Sequence, residues 1–258
     1  MNEIIPNLSV FLLILVRVTS FFVTMPLFSY RTIPARHRIG LSIVLSWIMF
    51  YSIEAAPFEF DGIYLLLVIK EALVGLLIGF AAYMIISAIQ IAGSFIDFQM
   101  GFAIANVIDP QTGAHSPLIG QYLYTFALLL LLALNGHYLI LDGIFYSYEY
   151  IPMEQLWIPL GDEDVVEFII NTFNSVYIMA FQMSIPVVAT LFLVDVALGI
   201  LARTVPQLNI FVVGFPIKIA VSFIVLFIVM AILMAVMQEL FEMMFVTMRD
   251  LMRLLGGT

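Results

Sequence analysis

Several ionisable side chains lie inside strongly apolar runs, where a charge is costly and therefore informative, notably Arg17, the adjacent Lys70 and Glu71, and Asp195. Groups of this kind can relay protons or couple a transported ion. They can also pair with one another, Arg17 with Glu71 for instance, and so hold helices together. Structural pairing is the favoured reading. Lys70 and Glu71 point about 100° apart on a helix, so no tidy facing pair is expected between these two. Glu71, Gly75, Gly79 and Tyr83 recur at every fourth position. Gly75-x-x-x-Gly79 lets a second backbone come close, which argues for helix packing rather than for a ligand.

Other chemistry finds little support. His37, His115 and His137 are far apart and lack i, i+4 spacing, and no HExxH or carboxylate–histidine cluster suits zinc. Neither a G-x-S-x-G nucleophile elbow nor a G-x-x-x-x-G-K-[ST] phosphate loop occurs. The chain has no Cys, so disulfides, thiolate metal sites and cysteine nucleophiles are excluded together. No catalytic residue, metal or cofactor is expected. Asn135-Gly136-His137 reads as a hydrogen-bonded interruption of a helix. The 15 methionines include Met230, Met234 and Met237 on one helical face, which suits ordinary packing.

The elements that must position these residues are apolar. Of 258 residues, 64% are hydrophobic and 10% are charged, against about 25% charged in soluble domains. So little charge cannot cover a soluble surface, and the expected class is an all-α, polytopic helical membrane protein. The net charge of -9 argues against a nucleic-acid partner. Six hydrophobic segments stand out: Leu8–Tyr30, Ile39–Ala55, Ile63–Ala92, Leu118–Tyr148, Val165–Ala202 and Phe211–Val236. Met1-Asn2-Glu3 is acidic where a cleavable signal is basic, so the first segment is expected to stay attached as a span. The short basic interval from Arg31 to Arg38 is expected in the cytoplasm, which places both termini outside. Arg249 and Arg253 in the tail disagree mildly with that topology.

Several segments carry breaks: Pro186 in the fifth, Asn135-Gly136-His137 in the fourth, and Gly214-Phe215-Pro216 near the start of the sixth. Broken hydrophobic helices are commoner in proteins that form a path, with a tilted anchor bundle as the evenly weighted alternative. The tail from Gln238 to Leu255 reads as an interfacial or docking helix rich in Met and Phe. The most irregular stretch is Gly93 to Pro117, whose Asp109-Pro110-Gln111-Thr112-Gly113 core is dense in turn formers. Its first part, Gly93–Gly101, is expected to continue the preceding helix. At membrane depth the rest must be buried by protein or line a path.

Taken in order, several separated motifs resemble one family, the FliR/SctT proteins of type III secretion export gates. They are Arg17 with Pro26-Leu27-Phe28-Ser29 and Arg31-Thr32-Ile33-Pro34-Ala35-Arg36, Glu71-x-x-x-Gly75-x-x-x-Gly79, and Gly93 through Gln99-Met100-Gly101 to Asp109-Pro110. Asn135-Gly136-His137, Ala197-Leu198-Gly199-Ile200-Leu201-Ala202-Arg203 and the continuous stretch from Pro206 to Pro216 complete the set. The last of these favours the flagellar branch.

The resemblance implies a core subunit of a flagellar export gate in the bacterial cell membrane, within the flagellar basal body. Its implied partners are FliP, FliQ and FlhB homologues, and its implied cargo is exported flagellar subunits. It implies one export-gate domain over 1–258. A FliP-like part spans 1–164, a FliQ-like helical hairpin 165–240 and an amphipathic tail 241–258. The implied pore plug is Ala105, Asn106, Val107, Ile108, Asp109, Pro110, Gln111, Thr112, Gly113, Ala114, His115, Ser116 and Pro117. The implied cytoplasmic hairpin tip is Arg203, Pro206, Gln207, Leu208 and Asn209. From another class, the alternative is a small-solute or ion transporter coupled through Arg17, Glu71 and Asp195.

Overall fold

The computed structural model describes residues 4–29, 33–53, 55–102, 117–207 and 209–257. Among them the regular structure is entirely helical: α1 (Ile4–Thr24), α2 (Ala35–Phe50), α3 (Gly62–Met100), α4 (Leu118–Ala133), α5 (Gly136–Tyr150), α6 (Glu163–Thr204) and α7 (Ile210–Gly256). Each apolar segment becomes a helix, and the fourth becomes the pair α4 and α5. Three helices, α3, α6 and α7, are long and apolar enough to cross a membrane, and α4 with α5 makes a fourth if the broken pair is one span. The first two segments give shorter helices. In α2 the apolar run is diluted by Ser42 and Ser46, both buried.

The ends follow local chemistry. Asp61 caps α3, its Oδ1 accepting the Tyr64 N–H at 2.8 Å. The helix stops at Gly101, whose φ of 91° suits a residue without a Cβ. Helix α3 therefore runs through Gln99-Met100, as the sequence suggests. Helix α6 carries Glu163 and Asp164 in its first turn and Arg203 in its last, matching the helix dipole at both ends. Between α4 and α5 the break is made by Asn135, at φ 58° and ψ 22°, a left-handed conformation that asparagine tolerates. Its carbonyl accepts the Tyr138 N–H at 3.0 Å and starts α5.

Pro186 lies inside α6 without ending it, and Pro216 lies inside α7 within its second turn. A proline deletes one N–H bond, but in a long helix the remaining ladder bridges the gap. The tail is helical. It is the last part of α7, and Phe241, Met244, Met248, Leu251, Met252 and Leu255 are buried, so of the two readings offered for it docking fits.

The chain forms two compact units. One comprises Met1–Ile86, Asn135–Phe173 and Glu242–Thr258. Its core includes Leu13, Ile14, Phe21 and Phe22 from α1, Val74 and Ile78 from α3, Ile140 and Ile144 from α5, and Met244 and Leu255 from α7. The other comprises Ser87–Leu134 and Asn174–Phe241. Its core includes Ile89, Ile96 and Met100 from α3, Leu123, Ala127 and Leu131 from α4, Met183 and Leu191 from α6, and Leu233 and Met237 from α7.

Candidate functional site

In the first unit α1 and α3 touch backbone to backbone. A Cβ on Gly75 would overlap the Arg17 carbonyl and the Ser20 hydroxyl, and one on Gly79 would overlap Thr24 and come within 2.8 Å of the Phe21 carbonyl. Thr24 Oγ1 donates to the Leu76 carbonyl at 3.2 Å across the same crossing. One turn before Gly75, this close approach brings Arg17 to Glu71.

Both side chains are fully buried, and Lys70 is nearly so. Arg17 Nη2 donates to Glu71 Oε1 at 2.9 Å, and Arg17 Nε donates to Oε2, a bidentate pairing. Arg17 also donates to Ser147 Oγ and to the Ile151 carbonyl, both at 3.0 Å, and its guanidinium lies 3.7 Å from the centroid of the Tyr148 ring. Lys70 reaches the same carboxylate, contrary to the expectation from helical angles, because its four-carbon stem bends the ammonium round to Glu71 Oε1. Lys70 Nζ donates further to the carbonyls of Pro152 and Met153, each at 3.1 Å.

Arg17 and Lys70 share one carboxylate, and their remaining donors are met by the Ile151, Pro152 and Met153 carbonyls, which follow directly on the last turn of α5. A helix C-terminus carries partial negative charge and suits a cation. The centre therefore ties α1, α3 and the end of α5 together. Both Glu71 oxygens are occupied, which suits a lock better than a relay.

The second unit holds a separate polar group. Lys218 Nζ pairs with the Asp195 carboxylate at 2.9 Å, and Gln99 Nε2 donates to Asp195 Oδ2 at 2.9 Å. Asp195 is thus engaged within α3, α6 and α7 and does not join Arg17 and Glu71. Asp97, also buried, accepts N–H groups from the first turn of α4.

Of the remaining sequence-identified residues, Arg203 lies in the last turn of α6, Pro206 and Gln207 form an exposed turn, and Asn209 precedes α7. Leu208 lies outside the described residues, as do the plug positions Ala105 through Ser116. Pro117 precedes α4 directly. His137 Nδ1 is buried without a hydrogen-bond partner, so the interruption there belongs to the Asn135 backbone and not to that nitrogen. Among the described residues no cluster of His, Asp and Glu could hold a metal ion.

Sequence reasoning missed Ser147, Tyr148 and the 151–153 carbonyls, which carry no local signal. Lys218 could have been found. Asp195 lies nine residues before the end of α6 and Lys218 eight after the start of α7, a spacing that makes them face each other in an antiparallel hairpin.

Long apolar helices, a backbone-close helix crossing and buried, mutually satisfied charges define a polytopic helical membrane protein. Residues 8–244 match the family model described as bacterial export proteins, family 1, and the chain belongs to that family. It is 58% identical over 257 residues to the flagellar biosynthetic protein FliR of Bacillus subtilis (strain 168), covering 99% of both chains. It is 28% identical to the protein of the same name from Escherichia coli (strain K12), over 81% of this chain and 79% of that one. It is 31% identical to the Yop proteins translocation protein T of Yersinia pestis, over 81% of each.

Proposed function

We propose that this protein is a core subunit of the flagellar type III protein export gate, which forms the pore for flagellar subunits together with FliP and FliQ homologues. The observation that carries this reading is the near-complete match, at 58% identity, to a flagellar biosynthetic protein. The 58% match to a flagellar biosynthetic protein, set against 31% to a translocation protein, favours the flagellar over the virulence branch. The subunit is non-enzymatic and sits in the bacterial cell membrane at the flagellar basal body. It takes its energy from partners, with an FlhB homologue near the tip formed by Arg203, Pro206, Gln207, Leu208 and Asn209.

In this reading 1–164 is the FliP-like part, 165–240 the FliQ-like hairpin, and Ala105–Pro117 the plug that limits leakage while no cargo is threaded. The Asp195–Lys218 pair supports the hairpin, since it joins α6 to α7 eight or nine residues from their connection. Against the transporter alternative, Asp195, Arg17 and Glu71 each have partners that suit a structural role.

The test is purification of the membrane complex with its partners identified by mass. The expected result is co-purification with FliP and FliQ homologues, and loss of swimming when this gene is deleted. A protein that purifies alone and drives solute flux in proteoliposomes would overturn the reading.

A further inference from the structure

Helix α5 ends at Tyr150, and residues 151–157 follow it without regular structure. They are held on two sides. On one side the carbonyls of Ile151, Pro152 and Met153 take N–H groups of Arg17 and Lys70. Lys70 Nζ has three protons, and Glu71, Pro152 and Met153 account for all of them. The Gln155 N–H donates to the Pro152 carbonyl at 3.3 Å and closes this side as a turn.

On the other side lies the end of α7. A helix leaves its last carbonyls without partners of its own. Here the Leu255 carbonyl accepts from Gln155 Nε2 at 3.0 Å, and the Leu254 carbonyl accepts the Gly257 N–H at 3.4 Å. The same Gln155 amide donates to the Trp157 carbonyl at 3.0 Å, so one side chain ties the loop both to itself and to α7. Gly256 lets the two backbones meet, since a Cβ on it would overlap the Tyr150 carbonyl. Arg253 adds its guanidinium, 5.8 Å from the centroid of the Tyr150 ring.

The two sides differ in strength. The first consists of buried, charge-assisted hydrogen bonds. The second depends on a neutral amide and on the last turn of a helix, where local opening is easiest. A groove of about 560 Å³, walled by Leu66, Ile69 and Leu73 of α3 and by residues 156–162, has Lys70 in its lining. Lys70 is only 3% exposed, so its ammonium stays covered at the edge of that groove.

We propose that residues 150–157 are a strap over the buried Arg17–Glu71–Lys70 centre, clamped by the last turn of α7 through Gln155 and Gly256. When that turn lets go, the strap lifts and Lys70 opens to the groove. The device is built from this chain alone and does not rest on the export-gate reading.

Lys70 and Lys218 are the only lysines, so one labelling reaction compares a strapped lysine with one outside the strap. The full-length protein in nanodiscs is acetylated with N-hydroxysulfosuccinimide acetate, and each lysine is followed by peptide mass spectrometry. In the native protein Lys70 is expected to react at least about tenfold more slowly than Lys218, because its protons are all engaged in a buried place. Gln155→Met keeps the volume but removes the donor, and Gly256→Ala pushes the helix end off Tyr150. Each is expected to raise the Lys70 rate by about tenfold, as loss of one buried hydrogen bond does, with the Lys218 rate and the circular dichroism unchanged. Gly161→Ala, with nothing within 4 Å of its Cβ, should match the native protein. Native reactivity of Lys70 in either clamp variant, at unchanged circular dichroism, would overturn the proposal. So would loss of folded protein in both variants, or a joint rise at Lys70 and Lys218, since either makes these contacts part of the general fold. If Lys70 reacts as fast as Lys218 in the native protein, there is no closed strap.

Discussion

Glu71→Gln is the most revealing single change in the buried centre. Its carboxylate is shared by Arg17 and Lys70. The substitution keeps volume but leaves two buried cations facing a neutral amide, half of which is itself a donor. Removing one partner from a buried ionic group costs about 3–5 kcal/mol. Lys70→Met should cost less, about 1–3 kcal/mol, because Glu71 keeps both Arg17 bonds and what is lost is the donor to the Pro152 and Met153 carbonyls. In a double-mutant cycle, Arg17→Met with Glu71→Met should cost less than the sum of the single changes by about 2 kcal/mol. The assay is equilibrium unfolding in mixed micelles, followed by tryptophan fluorescence. Trp47 and Trp157 are the only tryptophans, and both lie in the unit that holds the centre. A Glu71→Gln protein within about 0.5 kcal/mol of native stability, the ordinary range of a surface change, would refute the lock. So would Lys70→Met proving the more damaging of the two.

Gly75→Val and Gly79→Val should each lower the amount of folded protein in the membrane by immunoblot, since overpacking costs about 1–3 kcal/mol or more, whereas Gly199→Ala, with nothing within 4 Å of its Cβ, should leave it unchanged. Gln207→Ala combined with Asn209→Ala should reduce secreted flagellar protein in the culture medium without lowering the level of this chain; a parallel fall in level would make the motif one of folding. Arg36→Cys, in a chain that has no native cysteine, should react with a membrane-impermeant maleimide only in inside-out vesicles, and labelling of intact cells would reverse the topology.

What was legible in the chain was whatever a single helix expresses locally. Apolar runs gave helices, the four-residue spacing of Gly75 and Gly79 gave a close crossing, and Asn135-Gly136 gave a break. What was not legible depended on partners remote in sequence. Asp97 looked like one more polar residue in an irregular stretch, because its partners are backbone N–H groups 22 residues on. Lys70 was misjudged from the angle between Cα–Cβ bonds, which ignores the reach of a long side chain. Pro186 and Pro216 leave their helices continuous. The cost of a proline falls on one rung, and a helix of 42 or 47 residues has many others to hold its axis.

Helix length bears on what surrounds this chain. At 1.5 Å per residue, the 39, 42 and 47 residues of α3, α6 and α7 measure about 58, 63 and 70 Å, whereas a bilayer's hydrocarbon core is about 30 Å thick. Tilt does not absorb the difference. At about 40°, the upper end of the usual range, a 63 Å helix still covers roughly 48 Å along the membrane normal. Nor does polarity mark where the apolar part stops. Large apolar side chains are exposed along α6 from Val166, through Phe181 and Phe192, to Leu201, a stripe of about 53 Å. Lipid tails can cover about 30 Å of it, and water is a poor neighbour for the remainder. A stripe of this length is a stable surface only if other protein covers the part that lipid does not. This physical argument, independent of sequence similarity, supports a chain that works as one subunit of a larger helical assembly and not as a solitary transporter.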